Sequence, residues 1–309
     1  MKQPIFILFL FFLILPGHLC TLQGQELEPR TLTNLPRGLN FIAAGYAFAS
    51  GNTLLDPSLP LDDFNGNINT VILAYARSID FMGKSGKIDA VLPIAGGDYT
   101  GVFEGEDFTD SYTGLGDLRV RAAINITGAP SLDREEFKAY TQTLVSGLAI
   151  QLIIPTGNYK KEQLPNLGSN RFVLRLNYGV SYTINRWVLE GRAGVWFFNE
   201  NPAFLGDNTL RQNPLWVLKG SLIRSLKKEG MWMAFSVGYG YGAQSFINGN
   251  SRNALVSQLR LALNFTLPLN PNHILNFTVG SGIRFKQGSD FDVFGMSYRF
   301  RWADKVRSK

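Results

Sequence analysis

Apolar and polar residues alternate through most of this chain. In "RFVLRLNYGVSYTI", residues 171–184, every second place is bulky and apolar: Phe172, Leu174, Leu176, Tyr178, Val180, Tyr182 and Ile184. A period of two puts those side chains on one face of an extended strand and the polar set on the other. The pattern recurs in "DLRVRAAINI", "LVSGLAIQLII", "WVLEGRAGVWF", "MWMAFSVGYGYG", "LVSQLRLALNF", "HILNFTVGSGIRF" and "FDVFGMSYRFRW". Weaker versions lie near 39–50, 67–78, 87–96 and 214–225, making about twelve strands in all. Most run about 10 to 13 residues, against the usual 5 or 6 of soluble sheets. That length crosses a bilayer at a tilt.

Connections between the strands alternate in length. Long ones fall near 51–66, 97–113, 157–170, 199–213 and 243–253; short ones near 79–86, 185–186, 226–230 and 267–272. Outer-membrane barrels have short periplasmic turns and long extracellular loops. Two connections depart from this: 127–139 is long where a turn is expected, and 286–290 is short where a loop is expected. Within the first, "SLDREEFKAY" predicts one or two helical turns, with Ser131 at the N-cap. The pattern predicts an all-β protein: a transmembrane antiparallel up-and-down β-barrel of about 12 strands, a monomer with both termini periplasmic. Its apolar faces would touch outer-membrane lipid, and its polar faces would line a closed lumen. A secreted two-sheet sandwich is the competing fold, but its strands would be shorter and its polar faces richer in charge. Trp187, Trp302, Tyr182 and Tyr298 fall near periplasmic strand ends, and Phe197, Tyr241 and Phe285 near outer ends, as interfacial girdles would.

The chain begins "MKQPIFILFLFFLILPGHLC". Lys2 followed by an apolar run from Ile5 to Leu15 reads as a secretory signal peptide, since a span needs about 20 residues. Residues 1–24 are assigned to the signal, 25–38 to an N-terminal periplasmic or luminal segment, 39–302 to the barrel and 303–309 to a C-terminal tail. The segment "ELEPRTLTNLPRG" contains two prolines and no alternation, which excludes a strand; hanging in the periplasm is preferred for it over plugging the lumen. Cys20 is the only cysteine in the 309 residues. Its loss with the signal would leave the mature chain without disulfide, thiol nucleophile or thiolate metal site. His18 would leave with it, so that His273 becomes the single histidine. No cofactor is expected. The net charge of +6 raises nucleic acid as a partner, but no helix-turn-helix, zinc ligand set or RNP-like stretch accompanies it, and export argues against it.

Several stretches together resemble one family: "LTNLPRGLNFIAAGYAFASGNTLLDPSLPL", "GKIDAVLPIAGGDYTG", "GLGDLRVRAAINITGAP", "LIIPTGNY", "NLGSNR", "GVWFFNENPAFLGDNTLRQNPLW" and the final "YRFRW". This is similar to the outer-membrane transporter family of the MetA-pathway of phenol degradation. The resemblance implies a barrel in the outer membrane that takes up aromatic or other hydrophobic small molecules. It also implies assembly by the barrel assembly machinery, although the tail "ADKVRSK" departs from barrels that end on the aromatic residue.

Parity places Arg119, Arg121, Arg171, Arg175, Arg192, Lys219, Arg260, Arg284, Lys286, Arg299 and Arg301 on inward faces, against Asp89, Asp117 and Glu190. A lumen of that sign would favour anionic solutes such as aromatic carboxylates. Taken singly, each Arg is better read as a brace in the barrel wall; the collective sign of the lumen carries the functional reading. Gly238, Gly240, Gly242, Gly280, Gly282 and Gly295 either relieve curvature or hold the lumen open, with curvature preferred. Two other classes remain. An outer-membrane lipase needs a Ser–His pair near the outer leaflet, whereas His273 begins a strand at the other rim. An autotransporter translocator needs a passenger, for which the short segment before the first strand leaves no room. The expectation is a transporter and not an enzyme.

Overall fold

A computed structural model describes residues 27–52, 61–103, 106–163, 166–251, 255–284 and 290–304. The signal peptide, Lys286, the 286–289 stretch of the short loop and the tail beyond Asp304 lie outside the described residues.

The chain runs through β1 (Leu39–Asn52), β2 (Leu61–Phe81), β3 (Lys84–Phe103), β4 (Glu106–Leu115), β5 (Leu118–Thr127), the helix α1 (Arg134–Lys138), β6 (Leu144–Ile154), β7 (Val173–Ile184) and β8 (Trp187–Phe198). It continues through β9 (Asn201–Phe204), β10 (Asn208–Gln212), β11 (Leu215–Ser225), β12 (Trp232–Gly242), β13 (Ser245–Ile247), β14 (Asn250–Ser251), β15 (Val256–Pro268), β16 (His273–Arg284) and β17 (Asp290–Ala303). Thirteen of these strands form one antiparallel sheet. β4 pairs with the upper part of β3 (Ile94↔Leu115 to Phe103↔Glu106) and β5 with the lower part (Gly86↔Ile124 to Val91↔Arg119). The two therefore share one wall position, and the sheet has twelve. It closes where β1 pairs with β17 along its whole length, from Leu39↔Ala303 to Asn52↔Asp290. Closure removes the sheet edges that hydrocarbon cannot solvate.

The alternation is realised as a belt. On β7 every residue from Leu174 to Ile184 at even positions is exposed outward, while Arg175, Asn177, Gly179, Ser181 and Thr183 face in. Trp216 and Leu218 on β11 are each 62% exposed, and Ile150 on β6 is 54% exposed. Such a surface is costly in water and suits lipid. At the short-turn end, Phe300 stacks on Trp302 at 5.7 Å between centroids, and Tyr75 lies 6.4 Å from Trp302.

Turn chemistry explains the tight end. Met82 and Gly83 both have positive φ (52° and 78°), the pairing a type I′ hairpin requires, and Asp80 accepts the Gly83 N–H at 2.8 Å. Just after Trp302, Asp304 accepts from Asn40 Nδ2 at 2.9 Å and pairs with Arg77 at 2.6 Å, tying the last strand to the first two.

The described parts of the long loops carry strands of their own. β9, β10, β13 and β14 make a separate four-stranded sheet at the long-loop end. β2 and β3 reach 21 and 20 residues, and β4 extends the sheet beyond the expected strand near 87–96. That extension is polar and has no lipid to impose a period of two, so 61–66 and 97–113 read as loops in the sequence.

The long 127–139 connection carries α1. Its N-cap is Asp133, not Ser131: the Asp133 carboxylate accepts the Glu135 and Glu136 N–H groups, and Glu136 accepts the Asp133 N–H, a capping box. Ser131 instead donates its backbone N–H to Gly83 O.

Single cysteines at Asn208 and Asn250, in the small sheet, should react with an impermeant thiol reagent on intact cells, and one at Lys228, in the β11–β12 turn, should not. The reverse labelling would invert the orientation.

Candidate functional site

The barrel encloses a cavity of about 740 Å³. Its wall is basic because inward positions of neighbouring strands stack at similar depth. Lys87 comes from β3, Arg119 and Arg121 from β5, Arg175 from β7, Arg192 from β8, Lys219 from β11, and Arg299 and Arg301 from β17. With Arg30 these are nine cations among the described residues, against Glu28, Asp89 and Glu229.

Not every residue expected here faces the cavity. Arg119, Arg121, Arg175, Arg192, Arg299 and Arg301 line it, as does Lys219. Asp117 does not. Its carboxylate accepts Gly157 N at 3.0 Å, Ser169 N at 2.8 Å and Ser169 Oγ at 2.6 Å, so it clasps the loop between β6 and β7. Glu190 is buried and accepts the Arg30 N–H at 2.8 Å. Arg260 is buried with its guanidinium 4.8 Å from the Phe291 ring, and Arg171 sits 5.0 Å from Phe198. These four charges, Asp117, Glu190, Arg260 and Arg171, belong to the wall and not to the passage. The side chain of Arg284 lies outside the described residues. Arg175 lines the cavity while stacked 3.6 Å from the Trp196 ring centroid, which restrains it as a brace would.

Alternation missed four charged contributors: Lys87 on a strand, Glu28 and Arg30 before the first strand, and Glu229 in a turn. Lys87 shares the inward parity of Asp89 and was legible on that ground. Glu28 was not, because it lies before the first strand.

The N-terminal segment enters the lumen, against the preference for the periplasm. Leu27 and Leu32 are 4% and 7% exposed. Leu32 packs with Ala129 and Val145 and faces two glycines that are register partners, Gly147 and Gly179. A Cβ on Gly147 would lie 2.8 Å from a Leu32 methyl, and one on Gly179 3.1 Å from the other methyl and 2.7 Å from Arg192 Cγ. A Cβ on Gly238 would meet Leu27 at 2.7 Å. Gly238 therefore makes room for the segment, where curvature was the preferred reading. Lower down, Asn34 donates its side-chain N–H to Pro130 O at 3.1 Å and its backbone N–H to Gln142 Oε1 at 2.9 Å, and its Oδ1 accepts the Leu35 N–H at 2.9 Å. Arg37 N–H donates to Leu132 O at 2.8 Å, and the Arg37 guanidinium lies 3.6 Å from Asp133. The long connection at the short-turn end thus holds the segment in place, which accounts for its length.

Toward the long-loop end, two clusters of buried apolar side chains pack on the inner face. Ile153, Val173, Trp196, Leu215, Val217 and Ala243 form one cluster near the long-loop end, with Phe198 and Val256 against it. Ala49, Ile68, Ala95 and Tyr99 form another, packed by Phe108, Tyr112 and Leu167. His273, at the opposite rim, bonds the Tyr298 hydroxyl through Nδ1 and lies 5.1 Å from the Phe300 ring. Among the described residues no three His, Cys, Asp or Glu side chains cluster as a metal site.

Residues 46–300 match the family described as "Putative MetA-pathway of phenol degradation". The chain belongs to this family. Among solved structures it is similar to the COG4313 outer membrane channel from Pseudomonas putida F1, with a TM-score of 0.73 and 16% identity over 89% of this chain and 99% of that one. The β domain of the Bordetella autotransporter BrkA is similar at a TM-score of 0.50 and 13% identity, over 85% of this chain and 99% of that one. No curated protein matches the sequence. These likenesses place the chain among outer-membrane β-barrels.

The motifs that carry the family resemblance meet in space. Asp117 of "GLGDLR" holds Gly157 of "IPTGNY" and Ser169 of "NLGSNR". Asn201 of "NENPAF" accepts from Asn170 Nδ2 at 2.8 Å and donates to the Tyr159 hydroxyl at 2.9 Å, which in turn donates to Ala203 O at 2.8 Å. Gly157 and Gly168 touch backbone to backbone. In this family member the motifs form a clamp on the loops.

Two predictions follow from the segment's packing and charge. Gly179→Val fills the Leu32 socket, and Leu32→Ala removes about 2–5 kcal/mol of docking. Each should release the segment and raise single-channel conductance by roughly a factor of two or more while the folded barrel keeps its SDS-resistant mobility. Unchanged conductance in both would show that the segment does not obstruct the lumen.

The second prediction concerns Glu28. Enclosure in the lumen, away from bulk water, pushes its carboxyl up, but Arg121, Lys87, Arg299 and Arg192 together outweigh that and hold the group down from 4.5 to about 2. A depressed acid stabilises above its ordinary value and loses that contribution only as pH falls through the lowered one. The segment should therefore stay seated, and any conductance stay low, from pH 7 to pH 4 in bilayer recordings, with release only as pH approaches about 2–3. Opening between pH 6 and 5 would contradict this.

Proposed function

We propose that the protein is an outer-membrane channel or transporter for uptake of small molecules with an apolar, commonly aromatic, body, and that an anionic group favours passage. The observation that carries this reading is the ordering of the lumen: apolar clusters toward the long-loop end, then a cavity of about 740 Å³ with nine cations to three acids. A molecule with an apolar body and a carboxylate or phenolate matches both zones. Low-dielectric walls focus the field of such a chamber, so its sign acts on a permeating charge even where single residues are paired. Family membership supports the same solute class. Lipid around the exposed belt and the assembly machinery that inserts barrels are the partners this reading requires; nucleic acid is not among them. A catalytic role is disfavoured because the His273 imidazole is engaged with Tyr298 at the short-turn rim, away from the cavity.

Planar-bilayer recording in a salt gradient tests the sign. The wild type should prefer chloride over potassium, and the preference should shrink as salt rises. Replacing Arg119, Lys219 and Arg299 by Gln should lower the anion-to-cation permeability ratio on the order of two-fold without unfolding the barrel. Arg121 is left in place because its loss would strand Asp89, whose carboxylate it holds at 2.9 and 3.1 Å. Cation selectivity in the wild type would refute an electropositive passage.

A further inference from the structure

Two carboxylates contact Arg121, and they differ in kind. Asp89 is 8% exposed and takes the Arg121 Nε at 2.9 Å, a committed wall pair. Glu28 takes Arg121 Nη2 at 3.3 Å, longer than the 2.7–2.9 Å of a strong charge-assisted bond. Its side chain is 49% exposed to the cavity. Lys87, Arg192 and Arg299 also act on it electrostatically. Asp89 and Glu190 offset two of these four cations, and Glu28 a third. The carboxylate is one of several contacts that seat the segment: Arg192 Nη2 holds the Glu28 backbone oxygen at 2.5 Å, and Leu27, Leu32 and Asn34 anchor either side, so its displacement loosens the segment without expelling it from the barrel. The Glu28 side chain thus sits as a loosely held anion, in a cationic pocket, beside empty volume.

We infer that Lys87, Arg121, Arg192 and Arg299 form a carboxylate-binding site that the protein occupies with its own Glu28, and that the carboxylate of a small apolar solute takes its place. The inference deepens the proposed uptake function and rests on it for the solute class. Glu28 is a tethered competitor, and a short tether supplies an effective concentration in the millimolar range. A free carboxylate must overcome that competition. Its binding removes the charge contact of residue 28 with the wall, which loosens the segment on the solute's arrival. Closure and recognition then share one set of cations.

Benzoate is the probe and benzyl alcohol its uncharged counterpart. Calorimetric titration of the purified full barrel should show benzoate binding about tenfold or more tighter in Glu28→Gln than in the wild type, because the tethered competitor is gone. Benzyl alcohol should bind both equally and weakly. Adding Arg299→Gln to Glu28→Gln should remove most of the gain, and SDS-resistant mobility reports whether each variant is folded. In a second measurement, a cysteine at Thr31, which lines the cavity, should react faster with a small thiol reagent as benzoate is added to the otherwise wild-type barrel. Equal benzoate affinity in wild type and Glu28→Gln would overturn the site. So would equal binding of benzyl alcohol and benzoate, or a Thr31→Cys labelling rate that benzoate leaves unchanged. Conductance bears on the channel reading alone: a barrel that binds benzoate in this way but passes no ions keeps the site and loses the channel.

Discussion

The structure depends on one constraint: every backbone N–H and C=O within hydrocarbon must find a partner in the chain. A strand satisfies only half of its groups on each side, so twelve wall positions must meet end to end. The β1–β17 seam, paired from Leu39↔Ala303 to Asn52↔Asp290, discharges that requirement. Everything else follows from closure. Once the sheet is a cylinder, one face of each strand belongs to lipid and the other to a confined interior. Residues distant in sequence, such as Lys87, Arg192 and Arg299, are then forced to share one small space.

That interior is governed by two opposing needs. Confined like charges repel, and the chain answers with acids placed at particular cations: Asp89 against Arg121, Glu190 near Arg192 and Arg30, and Glu28 reaching in from outside the sheet. Confined volume must also be filled or left as water. Here glycines matter. Gly147 and Gly179 oppose each other and admit Leu32, and Gly238 admits Leu27. The N-terminal segment is thus bound by shape at its leucines and by charge at Glu28. The helical connection at the short-turn end closes behind it through Asn34 and Arg37.

The stretches that carry the family resemblance divide between a loop clamp and the cavity wall. "GDL", "IPTGNY", "NLGSNR" and "NENPAF" are those of the clamp. They converge on Asp117, Tyr159, Ser169 and Asn201, which bond one another and the loop backbone. Their geometry stabilises the loop that covers the long-loop end. Other resemblance-carrying stretches, "GKIDAV", "DLRVRA" and "YRFRW", lie on the regular strands and bring Lys87, Arg119, Arg121, Arg299 and Arg301 to the cavity wall.

Period-two alternation alone determined the class of fold, the number of wall strands and which side of β7 faces lipid, because lipid imposes that pattern residue by residue on every spanning strand. It also determined the basic sign of the interior, since parity assigns Arg119, Arg121, Arg192, Arg299 and Arg301 inward without any coordinates. It did not determine which inward charges meet the passage. Asp117, Glu190 and Arg260 have the same parity as the lining residues, yet they are consumed by a loop clasp, the Arg30 N–H and the Phe291 ring. Parity reports a side of the sheet; depth and neighbours around the cylinder decide exposure to the cavity. The placement of residues 27–38 was decided only by tertiary structure. Their contacts join Leu32 to Gly179, Glu28 to Arg121 and Arg30 to Glu190, partners up to 160 positions apart. No local pattern encodes such pairs, because they exist only after the barrel has closed around the segment.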